Sequence, residues 1–483
     1  MATYRTPGVY VEEISLVPPS VAEVATAIPA FIGHTEKVPD GYNYENPEPI
    51  RITSLFEYEY YFGGPAAIDF IVTAVKTTAG NTISVDSMGD FEYLMYPNLQ
   101  MYFKNGGGPC YIISVGDYTT EKDKDLFEGG INALRNEDEP TLIVLTDATT
   151  ILNEVSPPES PPQYTASDYY DLCGIALTQC GELKDRFTIV DVVQISNSEI
   201  ISTKIDDDSE DMRQYLSSPY LKYGASYYPY LKTTLPHYYM EGDGTSPAWG
   251  TVTVNVDNPP LSGVYELGDP ALKEGMTDLY NEIKATLNNI RITLPSSGAV
   301  AGIYARVDRT RGVWKAPANE VVSGVLGPTI KINNDLQEPL NVHTTGKSID
   351  AIRAFVGKGT LVWGARTLAG NDNEWRYVSV RRLFNMIEES IQESTEWAVF
   401  EGNDAMTWLK VKTQIEVYLE GLWRQGALAG PSPAAAFFVN VGLGVTMNND
   451  DILNGRMNIE IGIAAVRPAE FIILKFSHKM QEA

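Results

Sequence analysis

Residues 99–115 read LQMYFKNGGGPCYIISV, a helical stretch stopped by asparagine and glycines and followed at once by an apolar run. Asn105 and Gly106 to Gly108 suit a helix C-terminus and tight turn. A short apolar run bounded by turn signals suits a strand covered on both faces. The same unit recurs outward along the chain. A helix over 124–136 precedes a strand at 141–145, and a helix over about 167–182 precedes a strand at 187–191. Upstream, 25–33 reads as a strand and 52–63 as a capped helix. Strands alternating with helices predict an α/β layer with a largely parallel sheet.

The flanks are different in kind. Leu383, Ile387 and Ile391 recur every four residues in 380–396, and Trp408, Ile415, Leu419 and Leu422 mark a stripe in 404–425, so both are amphipathic helices. Strands are expected at 435–440, 457–462 and 470–476, and another at 7–14. A strand at a terminus leaves donors and acceptors unpaired unless it joins a sheet in its own chain or in a neighbour's. The proline-laden 157–162 is a loop. Two stretches, 66–96 and 238–290, give weaker signals: strand-like 81–85, a β-rich 238–270, then a helix around 271–289.

Residues 294–319, LPSSGAVAGIYARVDRTRGVWKAPAN, lack regular periodicity and are rich in glycine and arginine. They read as a fixed surface loop held by arginine pairing, through Arg306, Asp308, Arg309 and Arg311. Pro317 disfavours helix at Ala316.

Composition narrows the function. Formal net charge is −27, yet residues 1–300 hold 17 Lys and Arg against 43 Asp and Glu, while residues 301–483 hold 19 against 20. Such an acidic surface repels phosphate backbones and anionic membranes, which argues against nucleic acid as a partner. The three cysteines and four histidines are scattered without ligand spacing, so no metal site is expected. Gly346-Lys347-Ser348 fails the phosphate-loop spacing because Asn341 stands where glycine is required. Val356 to Thr360 fails because Gly359 separates lysine from threonine. No catalytic constellation and no cofactor loop emerges, although scattered carboxylates leave a glycosidase pair open. The N-terminus lacks a signal-peptide pattern, and no run approaches the ~20 apolar residues of a membrane span.

Several segments are similar to the contractile tail sheath family of myophages, R-type bacteriocins and extracellular contractile injection systems. They are TPGVYVEEI (6–14), FKNGGGPCYIISV (103–115), RFTIVDV (186–192), RGVWKAPAN (311–319), VWGARTL (362–368), EWRYVSVRRLFNMIEESI (374–391), LEGLWRQGALAGPSPAAAFFV (419–439) and PAEFI (468–472). The resemblance implies a structural subunit, not an enzyme. It implies a mixed α/β subunit, part α+β, with a sheet flanked by helices and an outer inserted domain. Residues 1–35 would form an N-terminal arm with the first strands, 36–295 an outer domain with insertions near 66–96 and 238–290, and 296–483 an inner domain ending in a strand arm.

Terminal strands would pass to neighbouring subunits, through Val9, Tyr10, Val11 and Ile14 at one end and Phe471, Ile472, Ile473 and Leu474 at the other. Candidates for facing an inner tube are Lys410, Lys412, Arg424, Arg381 and Arg382. Lys410 and Lys412 lie ~200° apart on a helix, so both cannot meet one partner. Arg306, Asp308, Arg309, Arg311 and Arg366 would pair within or between subunits. Implied partners are further copies of the chain in stacked hexameric rings, the inner tube, baseplate and terminator proteins, and sheath paralogues, with no nucleic acid and no membrane insertion. The particle, a phage tail or an injection system, would be assembled in a bacterial cytoplasm. The alternatives are a paralogue capping the lattice and, more remotely, an acidic α/β hydrolase or sugar-binding enzyme.

Overall fold

The computed structural model describes residues 20–77, 80–154, 164–242, 250–258 and 261–474. The strand expected at 7–14, with Val9, Tyr10, Val11 and Ile14, lies outside them. The chain divides into two compact units. Of the described residues, the larger holds those within Ala25–Asn385 and 467–474; the smaller holds Met386–Val466 and 20–24.

The larger unit is built on a nine-stranded sheet. Its order runs Glu320–Val321, Gly359–Val362, Ile349–Phe355, Gly224–Tyr228, Phe187–Asp191, Leu142–Leu145, Pro29–Thr35, Cys110–Asp117, Ile50–Ile52. From Ile349–Phe355 to Cys110–Asp117 every pairing is parallel, and only the outer pairings are antiparallel. Side chains alternate between two cores. Ala30, Ile32, Ile113 and Ile143 join the helices Lys124–Ala133 and Ser167–Leu183 on one face. Phe31, Ile112, Val144 and Ile189 join Met95–Lys104 and Ser297–Arg311 on the other. This double coverage is why these strands read as unbroken apolar runs.

The run at 294–319 is not a loop. Ser297–Arg311 is a helix, buried at every position from Ser297 to Ala305. A helix covered on nearly all sides has no amphipathic period, which hid it. Its glycines serve close packing: a Cβ at Gly302 would lie 2.4 Å from the Tyr102 carbonyl oxygen, and one at Gly298 2.6 Å from Asn98 Oδ1. Only at Gly312, with φ +87, does the helix stop.

The boundary expected at 295–296 is also displaced. Ile349–Phe355 and Gly359–Val362 share one sheet with Pro29–Thr35, so 296–385 belongs to the α/β unit. The division falls inside the helix Val378–Thr395. The change in charge near residue 300 marks no structural boundary.

The two weakly readable stretches come together as a second sheet. Its order is Leu261–Glu266, Val252–Asn258, Phe70–Thr77, Gly80–Met88, and the middle pair is parallel, Val252 opposite Phe70 through Asp257 opposite Val75. Phe70, Val72, Ala74, Val252, Val254 and Val256 face the helix Thr277–Leu287, which lays Leu279, Ile283 and Leu287 upon them.

The smaller unit carries the helix Ala405–Gln425, capped by Asp404, whose carboxylate accepts from Met406 N and Thr407 N at 2.9 and 3.0 Å. Gly426 in the left-handed region ends it. Val411, Ile415, Leu419 and Leu422 are its buried stripe. Trp397 donates its indole N–H to Gln414 (2.9 Å), which donates to the Ser394 carbonyl (2.8 Å). Ser390 and Ser394 hydroxyls accept from Val24 N and Ala22 N at 3.1 and 3.2 Å, tying down the incoming chain. The strands Phe437–Val441 and Ile459–Ile463 form a two-stranded antiparallel sheet.

Candidate assembly surfaces

Several arginines are anchored within the α/β unit, Arg366, Arg381 and Arg382 among them buried. Asp308, on the helix Ser297–Arg311, accepts from Arg382 Nη1 and Nη2 (3.1 and 2.5 Å) and from the Thr26 hydroxyl (2.6 Å). Arg382 also donates to the Thr26 carbonyl at 2.6 Å and lies over the Tyr304 ring. Arg306 donates to the Asn105 and Val321 carbonyls, 3.1 and 2.8 Å, and approaches Glu320. These are pairings within one chain. Arg309 and Arg311 are exposed and form no ion pair among the described residues.

Arg381 and Arg382 cannot serve as tube-facing residues in this fold, being 2% and 4% exposed. Arg381 donates to Asn385 at 2.7 Å and stacks on Trp375 and Tyr223. The helix Ala405–Gln425 does have an outward stripe, of mixed character. Met406, Leu409, Lys410, Thr413, Val417 and Arg424 are exposed along it. Lys412 is off that stripe and sits 3.7 Å from Glu416, and Arg424 pairs with Glu420 at 2.6 Å. The sequence points to charge on this helix but not to the apolar half of its outer face.

The terminal segment is organised by one carboxylate. Arg366 Nε and Nη2 donate to Glu470 at 2.9 and 2.7 Å, Tyr377 OH donates at 3.0 Å and Asn341 Nδ2 at 2.8 Å. Burial would raise the Glu470 carboxyl, but its bonds to Arg366 and Asn341 outweigh this and hold it below the usual range. Immediately beyond, Phe471, Ile472, Ile473 and Leu474 are between 71% and 79% exposed. The strand expected at 470–476 forms no ladder within the chain over its described part. Elsewhere, Phe437–Val441 and Ile459–Ile463 pair only with each other among the described residues, leaving both outer edges open.

The features that imitated a nucleotide site have structural partners. Lys347 Nζ donates to the carbonyls of Arg213 and Leu216 (2.5 and 2.6 Å), at the end of the helix Ile201–Tyr215. Burial lowers its pKa. At the carboxyl ends of the central strands, where doubly wound sheets place ligands, Asp147 accepts from His34 N and from Leu94 N (2.5 Å). His34 is fully buried there between Tyr93 and Phe127. Asp191, at the end of a central strand, caps the helix Ser297–Arg311 through Ser296 N and Ser297 N at 2.8 and 2.9 Å. Desolvation pushes its carboxyl up to about 6. Among the described residues no helix is long and apolar enough to cross a membrane.

Residues 370–479 match the model of the phage tail sheath C-terminal domain. The tail sheath protein of Enterobacteria phage T4 is 27% identical over 134 residues, 28% of this chain and 20% of that protein. The matched stretch thus spans about a fifth of that curated relative. Solved structures cover far more. A chain of the anti-feeding prophage helical sheath in the contracted state is 29% identical over 99% of this chain and 100% of its own, with a TM-score of 0.63. A chain of the anti-feeding prophage baseplate in the contracted state is 30% identical, covering 98% and 99%, with a TM-score of 0.62. With the fold shared end to end and the C-terminal domain recognised, the chain belongs to the contractile tail sheath family.

Proposed function

We propose that this chain is a subunit of a contractile sheath that polymerises helically around an inner tube and drives it through a target envelope. One observation carries the reading: among the described residues, the apolar run 471–474 is largely exposed and joins no ladder, and the two-stranded sheet has no third strand on either edge. Isolated two-stranded sheets are marginal in water and gain from added strands. An extended segment that pairs along an exposed edge supplies main-chain hydrogen bonds, with alternate side chains giving specificity. The segment 471–474 of one copy, together with the N-terminal segment at 7–14, would complete the sheet of Phe437–Val441 and Ile459–Ile463 in neighbouring copies. The partners are then other copies of the chain, a tube protein, and baseplate and terminator proteins at the ends.

The outward stripe of the helix Ala405–Gln425 is the surface we assign to the tube, with Lys410 and Arg424 providing charge and Met406, Leu409 and Val417 apolar contact. Lys412 falls outside it. Contraction on this reading consumes no nucleotide; its energy comes from the larger interfaces that subunits form with one another once contracted. The particle is a phage tail or injection system, and the subunit is structural.

Electron microscopy of the purified chain, with and without its tube partner, tests the proposal. Long hollow cylinders are expected. A chain ending at Glu470, or one lacking residues 1–15, should stay folded and monomeric. Cylinders from either truncated chain would overturn strand exchange at that end, and discrete particles from the intact chain with its tube would overturn the sheath reading.

A further inference from the structure

The exposed run 471–474 begins directly after a carboxylate that accepts four hydrogen bonds. Four donors from three separate stretches converge on Glu470: two from Arg366, one each from Asn341 and Tyr377. Arg366 is itself fixed. Its side chain is 5% exposed, its Nη1 donates to the Asn341 carbonyl at 3.3 Å, and its backbone N–H donates to Asp350 at 2.9 Å. Asp350 lies within the strand Ile349–Phe355 and is fully buried. Three residues earlier, Arg467 Nη1 donates to the Asn373 carbonyl at 2.7 Å. The strap 467–470 has no ladder, so side chains alone hold it.

We infer that Arg366, Tyr377, Asn341 and Glu470 form a clamp that fixes where the terminal arm leaves the α/β unit, so that load on the arm enters the nine-stranded sheet at Asp350. The inference rests on the strand-exchange reading for its purpose, but the clamp acts in the single chain. A forked guanidinium on a carboxylate fixes direction as well as distance, unlike a point charge. A partly buried pair also resists screening by salt better than a surface one. Arg366 and Glu470 are therefore positioning residues. Their work is to start the arm at one place and one angle in every copy, so that its apolar side chains meet an edge already in register.

The test uses spin labels at Ile472→Cys and Lys358→Cys, both exposed; the native Cys110, Cys173 and Cys180 are buried and do not compete. In the otherwise unchanged, unassembled chain the label-to-label distance distribution should be narrow. Glu470→Gln and Arg366→Lys should each lose that narrow distribution, whereas Glu182→Gln, which removes an exposed pair with Arg135, should keep it. Glu470→Gln should lower the melting temperature, since it leaves the buried Arg366 without its carboxylate, yet leave the chain folded, so the distances are read well below the transition, where positioning and stability separate. Cylinder formation by unlabelled Glu470→Gln should fall or disappear. A distribution equally narrow in Glu470→Gln and Arg366→Lys overturns the clamp. A broadened distribution with undiminished cylinders overturns its role in assembly. Cylinders from the chain ending at Glu470 would defeat strand exchange instead and leave the distance result standing on its own.

Discussion

At the scale of residues, the arginines carry the chemistry and their partners carry the surprise. Arg306, Asp308 and Arg366 are legible as pairing residues, because arginine in an apolar sequence demands acceptors. Which acceptors is not legible: Asp308 meets Arg382 across 74 positions, and Arg366 meets Glu470 across 104. No local spacing encodes such pairings. The Asp308–Arg382 pair is 7% and 4% exposed, so breaking it leaves a buried charge uncompensated. Asp308→Ala should cost roughly 3–5 kcal/mol in urea denaturation, and a well-packed double replacement should recover a large part. A loss below ~1 kcal/mol would show the pair to be dispensable.

A second residue-scale prediction concerns Glu241, which accepts from Lys284 (2.6 Å), Lys273 (3.0 Å) and Tyr280 (2.8 Å). Desolvation opposes its ionisation, but these three bonds outweigh it and lower the carboxyl to about 2. A depressed folded-state pKa gives stability present above the unfolded value near 4.5 and lost as pH falls toward about 2. Glu241→Gln should therefore destabilise the four-stranded sheet and its helix by about 1 kcal/mol at pH 7, and by progressively less below pH ~4.5. Hydrogen exchange of Thr277–Leu287 against pH measures this; a penalty independent of pH would refute it.

At the scale of elements, the parallel strands Cys110–Asp117, Leu142–Leu145 and Phe187–Asp191 are readable nearly to the residue, since both-face burial writes itself as a compact apolar run, whereas Gly224–Tyr228 and Ile349–Phe355, with polar and small residues among the apolar ones, are not expected from the sequence. The helices Val378–Thr395 and Ala405–Gln425 are readable from their stripes for the same kind of reason. Ser297–Arg311 is not, because its small residues resemble turn signals when they are contact surfaces. Gly302→Ala sets a methyl 2.4 Å from the backbone oxygen of Tyr102, which cannot rotate away. It should cost about 1–3 kcal/mol despite alanine's better helix propensity. Gly421→Ala, with nothing within 4 Å of its added Cβ, should instead stabilise the unassembled chain by up to ~1 kcal/mol. Thermal unfolding of the two variants side by side checks the pair, and a stabilised Gly302→Ala would mean the helices can part without cost.

At the scale of the whole molecule, family membership is legible from motifs spread along the chain, while the division into units is not. Charge changes near residue 300 and packing does not, because surface charge answers to solvent and partners while a domain boundary answers to shared cores. The parallel pairing of Phe70–Thr77 with Val252–Asn258 is equally invisible, being a contact between two stretches that each look incomplete.

That pairing makes the two stretches a single heritable object. Each begins and ends at a closed stem: Gly89 N donates to the Asp69 carbonyl at 2.8 Å, and Pro236 stands opposite Arg291. Both could be sutured by short turns without reaching the nine-stranded sheet. Replacing 70–88 and 237–290 together should yield a smaller, soluble, cooperatively folding chain. Replacing 70–88 alone would strip Val252–Asn258 of its neighbour and should yield aggregates, visible by light scattering. A lineage that trims or trades this module must then edit two distant places in its gene at once, and an engineer grafting cargo onto it inherits the same double-entry constraint.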